Sequence, residues 1–400
     1  MEKIISKENL QNLVEHQKQE FLKSVGNREK DGDFLLSFKP KNYKCNTKKP
    51  EFDGKIQAIS FFSGCGGLDI GTQLAGVKVI SSLDFYEDSV KTMSQNKYFS
   101  HTIHQCKDIN DVTGNDYKDL IKQSGAEKII LIGGPPCQPF SKAGYWRTNE
   151  KRKAFKDPRN MIGQYMRLID EIRPDGFLLE NVDSIKHPSN KEAVDFIERE
   201  SKRMGYNTIM YSINAADYGI PQKRRRVFFL ASKKKIEKDV FPTHGSEKDR
   251  EINKELLPYE RVIDWIGKYD TEEYYNKSMD AYGLHYDDLI CVPPGKNYIA
   301  LSSKENFPNP RFVAGKRYWT YLLKLHPYEP SWTIIAEPGH WEGPFHWDNR
   351  RLSIREAAAI QTFPEDYMFY GSIRSQRKQI GNAVPPLLAK IMVEALCRWI

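Results

Sequence analysis

The feature that most constrains the fold is an alternation that begins at Ile56 and continues to about Ser232. Short runs of apolar and β-branched residues alternate with amphipathic segments; the runs include IQAISFFS, VKVISSLD, EKIILIGG and GFLLENV. Strands that alternate with helices in this way predict a parallel sheet covered by helices on both faces. Such sheets bind ligands at the carboxyl ends of their strands. The sequence therefore predicts an α/β fold with a doubly wound, mostly parallel sheet.

The alternation divides the chain of 400 residues into four regions. Residues 1–55 combine apolar residues at helical spacing with a basic stretch that Pro and Gly interrupt, KPKNYKCNTKKPEFDGK. We expect an extension and linker there, and favour an accessory helix over an arm that contacts nucleic acid. Residues 56–232 form the main domain. Residues 233–350 mix charges, aromatics, Pro and Gly, which predicts a smaller, irregular domain, and helical patterning returns in 351–400.

Charge and cysteine usage narrow the class of protein. Lys and Arg number 61 against 53 Asp and Glu, so the formal net charge is +8, which permits nucleic-acid binding without proving it. None of the cysteines forms a CxxC pair, which argues against a zinc ribbon or a thioredoxin-like site. We expect a reduced, intracellular protein without a signal peptide or a segment apolar for long enough to span a bilayer. The six cysteines are Cys45, Cys65, Cys106, Cys137, Cys291 and Cys397.

A glycine-rich loop follows the first strand. Phe62-Ser63-Gly64-Cys65-Gly66-Gly67 leads into a helix, and Asp84 ends the next strand, at the usual distance for a carboxylate that binds ribose hydroxyls. A dinucleotide fingerprint would have a third Gly where this chain has Asp69. The loop therefore disfavours a pyrophosphate and is compatible with S-adenosylmethionine, which has no phosphate. A plain strand-to-helix turn is the alternative.

Two weaker signals belong to the same predicted edge of the sheet. Asp108 and Ile109 follow the third strand, where a carboxylate could meet an adenine amino group and Ile109 could lie against the ring. Alone, Asp108 is as well explained by a solvated side chain.

The fourth strand ends in a candidate nucleophile. It runs into Gly133-Gly134-Pro135-Pro136-Cys137-Gln138-Pro139-Phe140-Ser141. Two glycines and two prolines before a cysteine fix a rigid, non-helical turn and would hold Cys137 outward at the strand end. A lone cysteine is usually a small buried hydrophobe, but a core cysteine needs no such framing. We therefore interpret Cys137 as a nucleophile.

Two further motifs supply an acid and cations. The strand GFLLENV ends in Glu180-Asn181-Val182, where partial burial would raise the pKa of Glu180 and let it donate a proton; a structural salt bridge is the alternative. In the segment QKRRR, Gln222, Arg224 and Arg226 face one side of an extended chain. Arg224 and Arg226 suit a pyrimidine carbonyl, a phosphate or the Glu180 carboxylate. The opposite face, Lys223 and Arg225, suits general phosphate attraction or solvent.

Taken in order, six motifs resemble those of the cytosine-5 DNA methyltransferase family, of the bacterial restriction-modification type. The motifs are FFSGCGG, GGPPCQPFS, ENV, QKRRR, RRLSIREAAAIQTFP and QIGNAVPP. The resemblance covers residues 56–232 and 350–400. It implies the S-adenosylmethionine-dependent methyltransferase fold, with a target-recognition domain at 233–350 and a C-terminal return to the catalytic domain at 351–400.

The resemblance also implies a mechanism on double-stranded DNA. Cys137 attacks carbon 6 of a cytosine that has flipped out of the helix, and Glu180 stabilises the intermediate at ring nitrogen 3. Carbon 5 then takes the methyl group of S-adenosylmethionine, which leaves as S-adenosylhomocysteine. By the same analogy Arg226 lies near the cytosine carbonyl and Arg224 near the catalytic loop. No metal is expected.

The remaining site residues are carried over from the family motifs. Phe62 stacks on the adenine, and Asp84 binds the ribose at a position where the family more often has Glu. Gln138 and Ser141 belong to a catalytic loop that closes over DNA and continues through about Asp157 and Arg159, and Gln222 is also expected at the DNA. Thr333-Ile334 resembles a Thr-containing pair that ends the recognition region. The further cofactor residues are Gly64, Gly66, Gly67, Asp108, Ile109, Pro136, Asn382 and Val384.

Two rival functions differ in testable ways. A tRNA cytosine-5 methyltransferase shares this core, but that branch carries a Cys-Phe-Thr tripeptide that this chain lacks. A non-catalytic nucleic-acid binder on the same fold would be expected to have a damaged motif, and all the motifs are intact. We expect a cytoplasmic, monomeric bacterial or phage enzyme, paired with a restriction endonuclease for the same site or acting alone. Candidates for groove contacts, equally compatible with core or surface, are Arg311, Lys316, Arg317, Trp341 and His346.

Overall fold

The computed structural model describes residues 41, 54–136, 160–274, 277–315 and 318–400. Its centre is a seven-stranded sheet with the order β3-β2-β1-β4-β5-β8-β6. The first five of these strands are parallel, and β8 runs antiparallel to both of its neighbours. The strands are β1 (Ile56–Phe61), β2 (Lys78–Asp84), β3 (Ile103–Cys106), β4 (Lys128–Gly133), β5 (Gly176–Val182), β6 (Asn207–Asn214), β7 (Gln222–Lys223), β8 (Arg225–Ser232), β9 (His244–Gly245), β10 (Leu257–Pro258) and β11 (Ser331–Trp332).

Helices cover both faces of this sheet, because successive strand side chains point to opposite sides. Ile59 and Phe61 of β1 face a core that contains Tyr165, whereas Ala58 faces a second core that contains Leu388. The predicted doubly wound, mostly parallel sheet is therefore confirmed. The helices are α1 (Gly67–Leu74), α2 (Glu87–Gln95), α3 (Asn115–Ser124), α4 (Met161–Ile172), α5 (Lys191–Arg203), α6 (Glu247–Ile252), α7 (Val262–Ile266), α8 (Tyr286–Cys291), α9 (Ile354–Ile360), α10 (Ile373–Asn382) and α11 (Pro386–Cys397).

The end of the chain packs on the beginning of the sheet. Helix α11 contributes Leu388 and Met392 to the second core, beside Leu68 of α1. A Cβ atom at Gly71 would collide with Ala389, so the absence of a side chain at Gly71 lets α1 and α11 approach closely. The last helix thus covers the same sheet face as the first one.

One segment differs from the expectation that no stretch could cross a membrane. Ile373–Cys397 reaches the required length, and an 18-residue window within it has a mean hydropathy of 1.3, but 61% of that window is buried inside the protein. It comprises α10 and α11, which are separated at Ala383. Its apolar residues therefore serve the core of the fold.

Residues 233–350 contain two-residue strands, short helices and turns. Around Leu289, Leu301 and Phe345 they form a small core of their own. This region meets the rest of the chain where β11 pairs in parallel with β7, so that Ser331 lies opposite Gln222. The junction is important for the site because β7 directly precedes the strand that carries Arg226.

Candidate active site

A cavity of about 680 Å³ opens at the carboxyl ends of β1, β2, β4 and β5. This is the sheet edge at which the sequence predicted a ligand. Most of the predicted site residues that the structure describes lie around this cavity. The predicted residues that line the cavity are Phe62, Gly64, Gly67, Asp84, Asp108, Ile109, Pro136, Glu180, Arg226, Asn382 and Val384.

The loop between β1 and α1 is held by Asp84. Its carboxylate accepts hydrogen bonds from the backbone N–H of Gly64 at 2.7 Å and of Tyr86 at 2.8 Å. Phe62, with φ 55°, and Gly64, with φ 54°, both adopt the left-handed backbone that this tight turn requires. Burial raises the pKa of Asp84, and the N–H donors act against that rise. Each carboxylate oxygen keeps a second lone pair, so Asp84 can still accept a hydrogen bond from a ligand hydroxyl.

Two glycines of the loop are needed for packing. A Cβ atom at Gly66 would lie 2.9 Å from the ring of Phe99, and one at Gly67 would collide with the carbonyl of Val384. Gly67 and Val384 line the cavity, whereas Gly66 is not among its lining residues. Gly66 packs on the aromatic cluster behind the loop, and its contact with a cofactor stays a prediction.

The far wall carries Asp108, Ile109 and an aromatic residue that the sequence analysis missed. Asp108 accepts hydrogen bonds from the backbone N–H of Asn110 at 2.8 Å and from its side-chain amide at 2.7 Å. Ile109 is almost fully buried, whereas 74% of Phe85 is exposed although it borders the cavity. A large apolar side chain this exposed is suited to a flat ligand. Its position directly after a strand-end carboxylate was the signal that could have identified it.

Glu180 and Arg226 form an ion pair inside the cavity. Nε of Arg226 lies 2.9 Å from Oε1 of Glu180, and both side chains are largely buried. The antiparallel register pairs Val182 with Arg226. Glu180 lies two residues before Val182 and so on the same face of its strand, which brings Glu180 and Arg226 to one face of neighbouring strands. Burial raises the pKa of Glu180, while Arg226 and Arg224 oppose the rise. A carboxyl group with this balance can hold a proton and release it under control of the guanidinium.

The chain that leaves β4 is fixed beside this pair. Nδ2 of Asn181 donates to the carbonyl of Pro135 at 3.0 Å, and a Cβ atom at Gly134 would lie 3.2 Å from Oε2 of Glu180. Pro136 is the last described residue of this segment. The residues outside the described ranges include several predicted for the site, namely Cys137, Gln138, Ser141, Asp157 and Arg159.

Arg224 is oriented away from the cavity. Its Nη2 donates to the carbonyls of Gly381 at 2.8 Å and Ala383 at 3.0 Å, and its Nη1 to that of Ile334 at 3.4 Å. The side chain is fully buried and is not among the lining residues of the cavity. Arg224 therefore joins three distant segments of the chain, although it shares a motif with Arg226.

Gln222 is a similar link. Its Oε1 accepts from the backbone N–H of Ile334 at 3.1 Å, and its Nε2 donates to Oε1 of Gln361 at 2.9 Å. The amide is fully buried and bonded at both ends, and the contact of Gln222 with DNA stays a prediction. Thr333 belongs to the same junction and donates through its hydroxyl to the carbonyl of Lys223 at 2.8 Å.

Three candidate groove residues lie in or against the interior of 233–350. Arg311 pairs with Asp288, Trp341 packs edge-on against His285, and His346 is fully buried. A place in the core or at the surface therefore describes these three residues better than a groove contact. Lys316 and Arg317 are outside the described residues.

The fold and the cavity define a class of protein, the methyltransferases with an S-adenosylmethionine-dependent fold. A family model described as C-5 cytosine-specific DNA methylase matches residues 56–398, so the chain belongs to this family of DNA cytosine-5 methyltransferases. Type II methyltransferase M.SacI of Streptomyces achromogenes is 34% identical, over 86% of this chain and 93% of its own length. Type II methyltransferase M.FnuDI of Fusobacterium nucleatum is 31% identical, over 85% and 94%. The S. pombe Dnmt2 methyltransferase has the same fold, with a TM-score of 0.59 at 16% identity, over 86% and 98%.

Proposed function

We propose that this methyltransferase acts on a cytosine that has flipped out of duplex DNA, with Cys137 as the nucleophile and Glu180 as the proton donor. The observation that carries the proposal is the buried Glu180–Arg226 pair. It borders the same cavity as the loop held by Asp84 and the segment that leads to position 137. A base inside a helix is out of reach of groups at the bottom of such a cavity, so the base has to leave the stack.

The cavity residues fit S-adenosylmethionine as the methyl donor. Phe85 and Ile109 offer apolar surface to an adenine ring, and Asp84 keeps acceptor capacity for ribose hydroxyls. We assign the same cofactor to Phe62, Gly64 and Gly67, and to Asp108, Pro136, Asn382 and Val384. When bound, S-adenosylmethionine supplies an electrophilic methyl group.

The protein groups account for the activation of cytosine. The Cys137 thiolate forms a bond to carbon 6, and the electron pair of the 5,6 double bond moves through the ring to the carbonyl oxygen and nitrogen 3. Glu180 protonates nitrogen 3, or donates a hydrogen bond to it, while Arg226 orients Glu180 and lies within reach of the carbonyl side of the ring. Carbon 5 becomes nucleophilic and takes the methyl group. Loss of the carbon-5 proton then restores the double bond and expels the Cys137 thiolate.

Trapping the covalent adduct tests this mechanism. The protein is incubated with radiolabelled S-adenosylmethionine and duplex DNA containing 5-fluorocytosine, because fluorine cannot leave carbon 5 as a proton does. We expect a labelled, denaturant-resistant protein–DNA band for the wild type and none for Cys137→Ser. Cys106→Ser is the matched control, since Cys106 is a free, exposed thiol at the end of β3. A band that survives Cys137→Ser would overturn the mechanism.

The wider assignment rests on the relatives. Because M.SacI and M.FnuDI are named as type II methyltransferases, we propose that this chain protects a specific sequence in a restriction-modification system, in the bacterial cytoplasm and as a monomer. Residues 233–350 would recognise the target, and a cognate endonuclease would act on the same site without stable binding. Sequencing the trapped duplexes would identify the target. Trapping on tRNA instead of DNA would favour the RNA alternative.

A further inference from the structure

A second, smaller notch lies on the other side of helix α10 from the methyl-transfer cavity. Its space of about 50 Å³ takes a few water-sized groups and is too small for a base. Arg377 of α10 lines this notch, whereas its neighbour Lys378 lines the cavity. Ile334, Ile335 and Pro338 form the opposite wall. The helix thus lines both sites, and the notch opens where the helix meets residues 233–350.

Two guanidinium groups, those of Arg351 and Arg377, share this notch, and within the described ranges neither pairs with a carboxylate. Among the described residues Arg377 makes no hydrogen bond or ion pair, and it is half-buried. Arg351 donates to the carbonyl of His340 and stacks over the ring of Phe345 at 5.2 Å. Burial lowers the pKa of Arg351, and the nearby charge of Arg377 lowers it further. Two like charges held together in a partly desolvated position favour an anion between them.

The one acidic side chain of the notch does not neutralise the pair. Oε2 of Glu342 accepts a hydrogen bond from the backbone N–H of Gly339 at 2.8 Å, and in the described chain it forms no ion pair with either arginine. Arg374, on the same helix, differs from Arg377 because it points to solvent and pairs with Glu337 at 3.3 Å. Among the described residues, Arg377 in the notch therefore differs from Arg374 in having no carboxylate partner.

From these contacts we propose that Arg351 and Arg377 bind a phosphate of the DNA backbone. The inference rests on the proposed function, since a duplex that delivers a cytosine to Glu180 passes the junction where the notch opens. Gly381 of α10 packs directly on Ala336, and Arg224 bonds the carbonyls of both Ile334 and Gly381, so the notch and the cavity belong to one rigid frame. A phosphate held here would fix the register of the duplex relative to the cavity without reading its sequence.

The salt dependence of DNA binding tests the notch. Dissociation constants of a short fluorescein-labelled duplex are measured by anisotropy for Arg377→Ala, Glu342→Gln and the control Arg374→Ala, over a range of about 50 to 200 mM salt. We expect Arg377→Ala to weaken binding about tenfold and to reduce the slope of log K against log salt by about 0.9, equally for related and unrelated duplexes. Glu342→Gln should tighten binding a few-fold, because it removes a negative charge beside the phosphate.

The proposed phosphate site would be refuted by an unchanged salt slope in Arg377→Ala, or by an equal loss of DNA affinity in Arg374→Ala. Thermal melting checks that each variant is folded, and Arg351→Lys, which keeps the charge, gives an independent measure of the second contact. Methylation is measured on the same samples. Binding that behaves as expected while no 5-methylcytosine forms would refute the proposed function alone. Methylation by the wild type with an unaltered slope in Arg377→Ala would refute the notch alone.

Discussion

The carboxyl edge of the sheet and the region 233–350 use ion pairs in different ways. At the sheet edge, Glu180 pairs with Arg226 in the wall of an open cavity. In 233–350, Arg311 pairs with Asp288 beside a closed core that contains Leu289. Both pairs have a short contact between a guanidinium and a carboxylate. They differ in their surroundings. The first pair lines a substrate-sized cavity, whereas the second joins an exposed arginine to a buried aspartate at the edge of a small core.

The difference teaches that an ion pair is not evidence of function by itself. A pair that borders a cavity can exchange one partner for a ligand, whereas a pair away from a cavity can only be broken. Charge changes at the sheet edge should therefore alter chemistry or pH behaviour. Charge changes in 233–350 of the type found at Arg311 should alter stability alone.

The largest effect is expected for Glu180→Gln. The amide cannot donate a carboxyl proton to the base, so kcat should fall about a thousandfold, a loss of about 4 kcal/mol in transition-state stabilisation. Because burial raises the pKa of Glu180, the wild-type rate should decline as pH rises through that pKa, and this basic limb should disappear in the variant. Steady-state methylation across pH measures both effects.

The matched control for Glu180→Gln is Glu198→Gln, at an exposed position on α5. Cofactor binding in the absence of DNA should be unchanged in either variant. A variant at position 180 that keeps full activity and the wild-type pH profile would show that the cavity pair is structural. The ion pairs of the two regions would then not differ in their role.

A second prediction concerns Asp69, whose buried carboxyl lies under the cofactor loop. Burial raises the pKa of this carboxyl to about 7. A raised folded-state pKa means that stability from this group is fully present below about pH 4 and is lost as pH rises to about 7. Asp69→Asn should remove this loss and stabilise the protein at pH 8 by up to about 4 kcal/mol.

Chemical denaturation at several pH values measures the effect at Asp69. Asp116→Asn should give the opposite sign, because hydrogen bonds from Thr113 lower the pKa of Asp116, so its stabilisation is lost as pH falls. A stability difference between Asp69→Asn and the wild type that does not change between pH 4 and 8 would contradict the prediction.

The third prediction separates two arginines of one motif. Arg224→Ala removes the donor of three buried carbonyls and should lower the free energy of unfolding by about 3 kcal/mol. Arg226→Ala should lower kcat strongly with a smaller loss of stability, because Arg226 faces the cavity. Arg225→Ala, at the exposed position between them, should stay within about 0.5 kcal/mol of the wild type. Equal stability losses at 224 and 226 would contradict the division of roles.

This pair also shows how far the sequence could go. The positions of Phe62, Asp84 and Glu180 at or near the carboxyl ends of β1, β2 and β5 were predictable, because local hydrophobic patterning determines where a strand stops and parallel strands stop at one edge. The sequence could not show that Arg224 and Arg226 have different roles. They have the same chemistry and the same face of an extended chain, and the carbonyls that bind Arg224 come from residues more than 100 positions away.

The region 233–350 was the least predictable for a related reason. Its strands are two residues long and its core is small, so no period of two or 3.6 residues distinguishes inward from outward side chains. Trp341 and His346 looked equally suited to a groove and to a core. Only the folded chain shows that His346 is fully buried and that Trp341 packs beside His285.

The smallest effect is expected for Arg311→Ala, which tests the ion pair between Arg311 and Asp288 in the region 233–350. The pair with Asp288 is partly exposed, so its loss should cost about 1 kcal/mol of stability. Since Arg311 is engaged with Asp288, the variant should methylate the same target sequence as the wild type, as determined by bisulfite sequencing of a methylated plasmid. Lys304→Ala, at an exposed position of the same region, is the control. A relaxed target sequence in Arg311→Ala alone would mean that Arg311 leaves Asp288 to contact a base, and ion pairs away from the cavity would then have to be counted among the groups that read DNA.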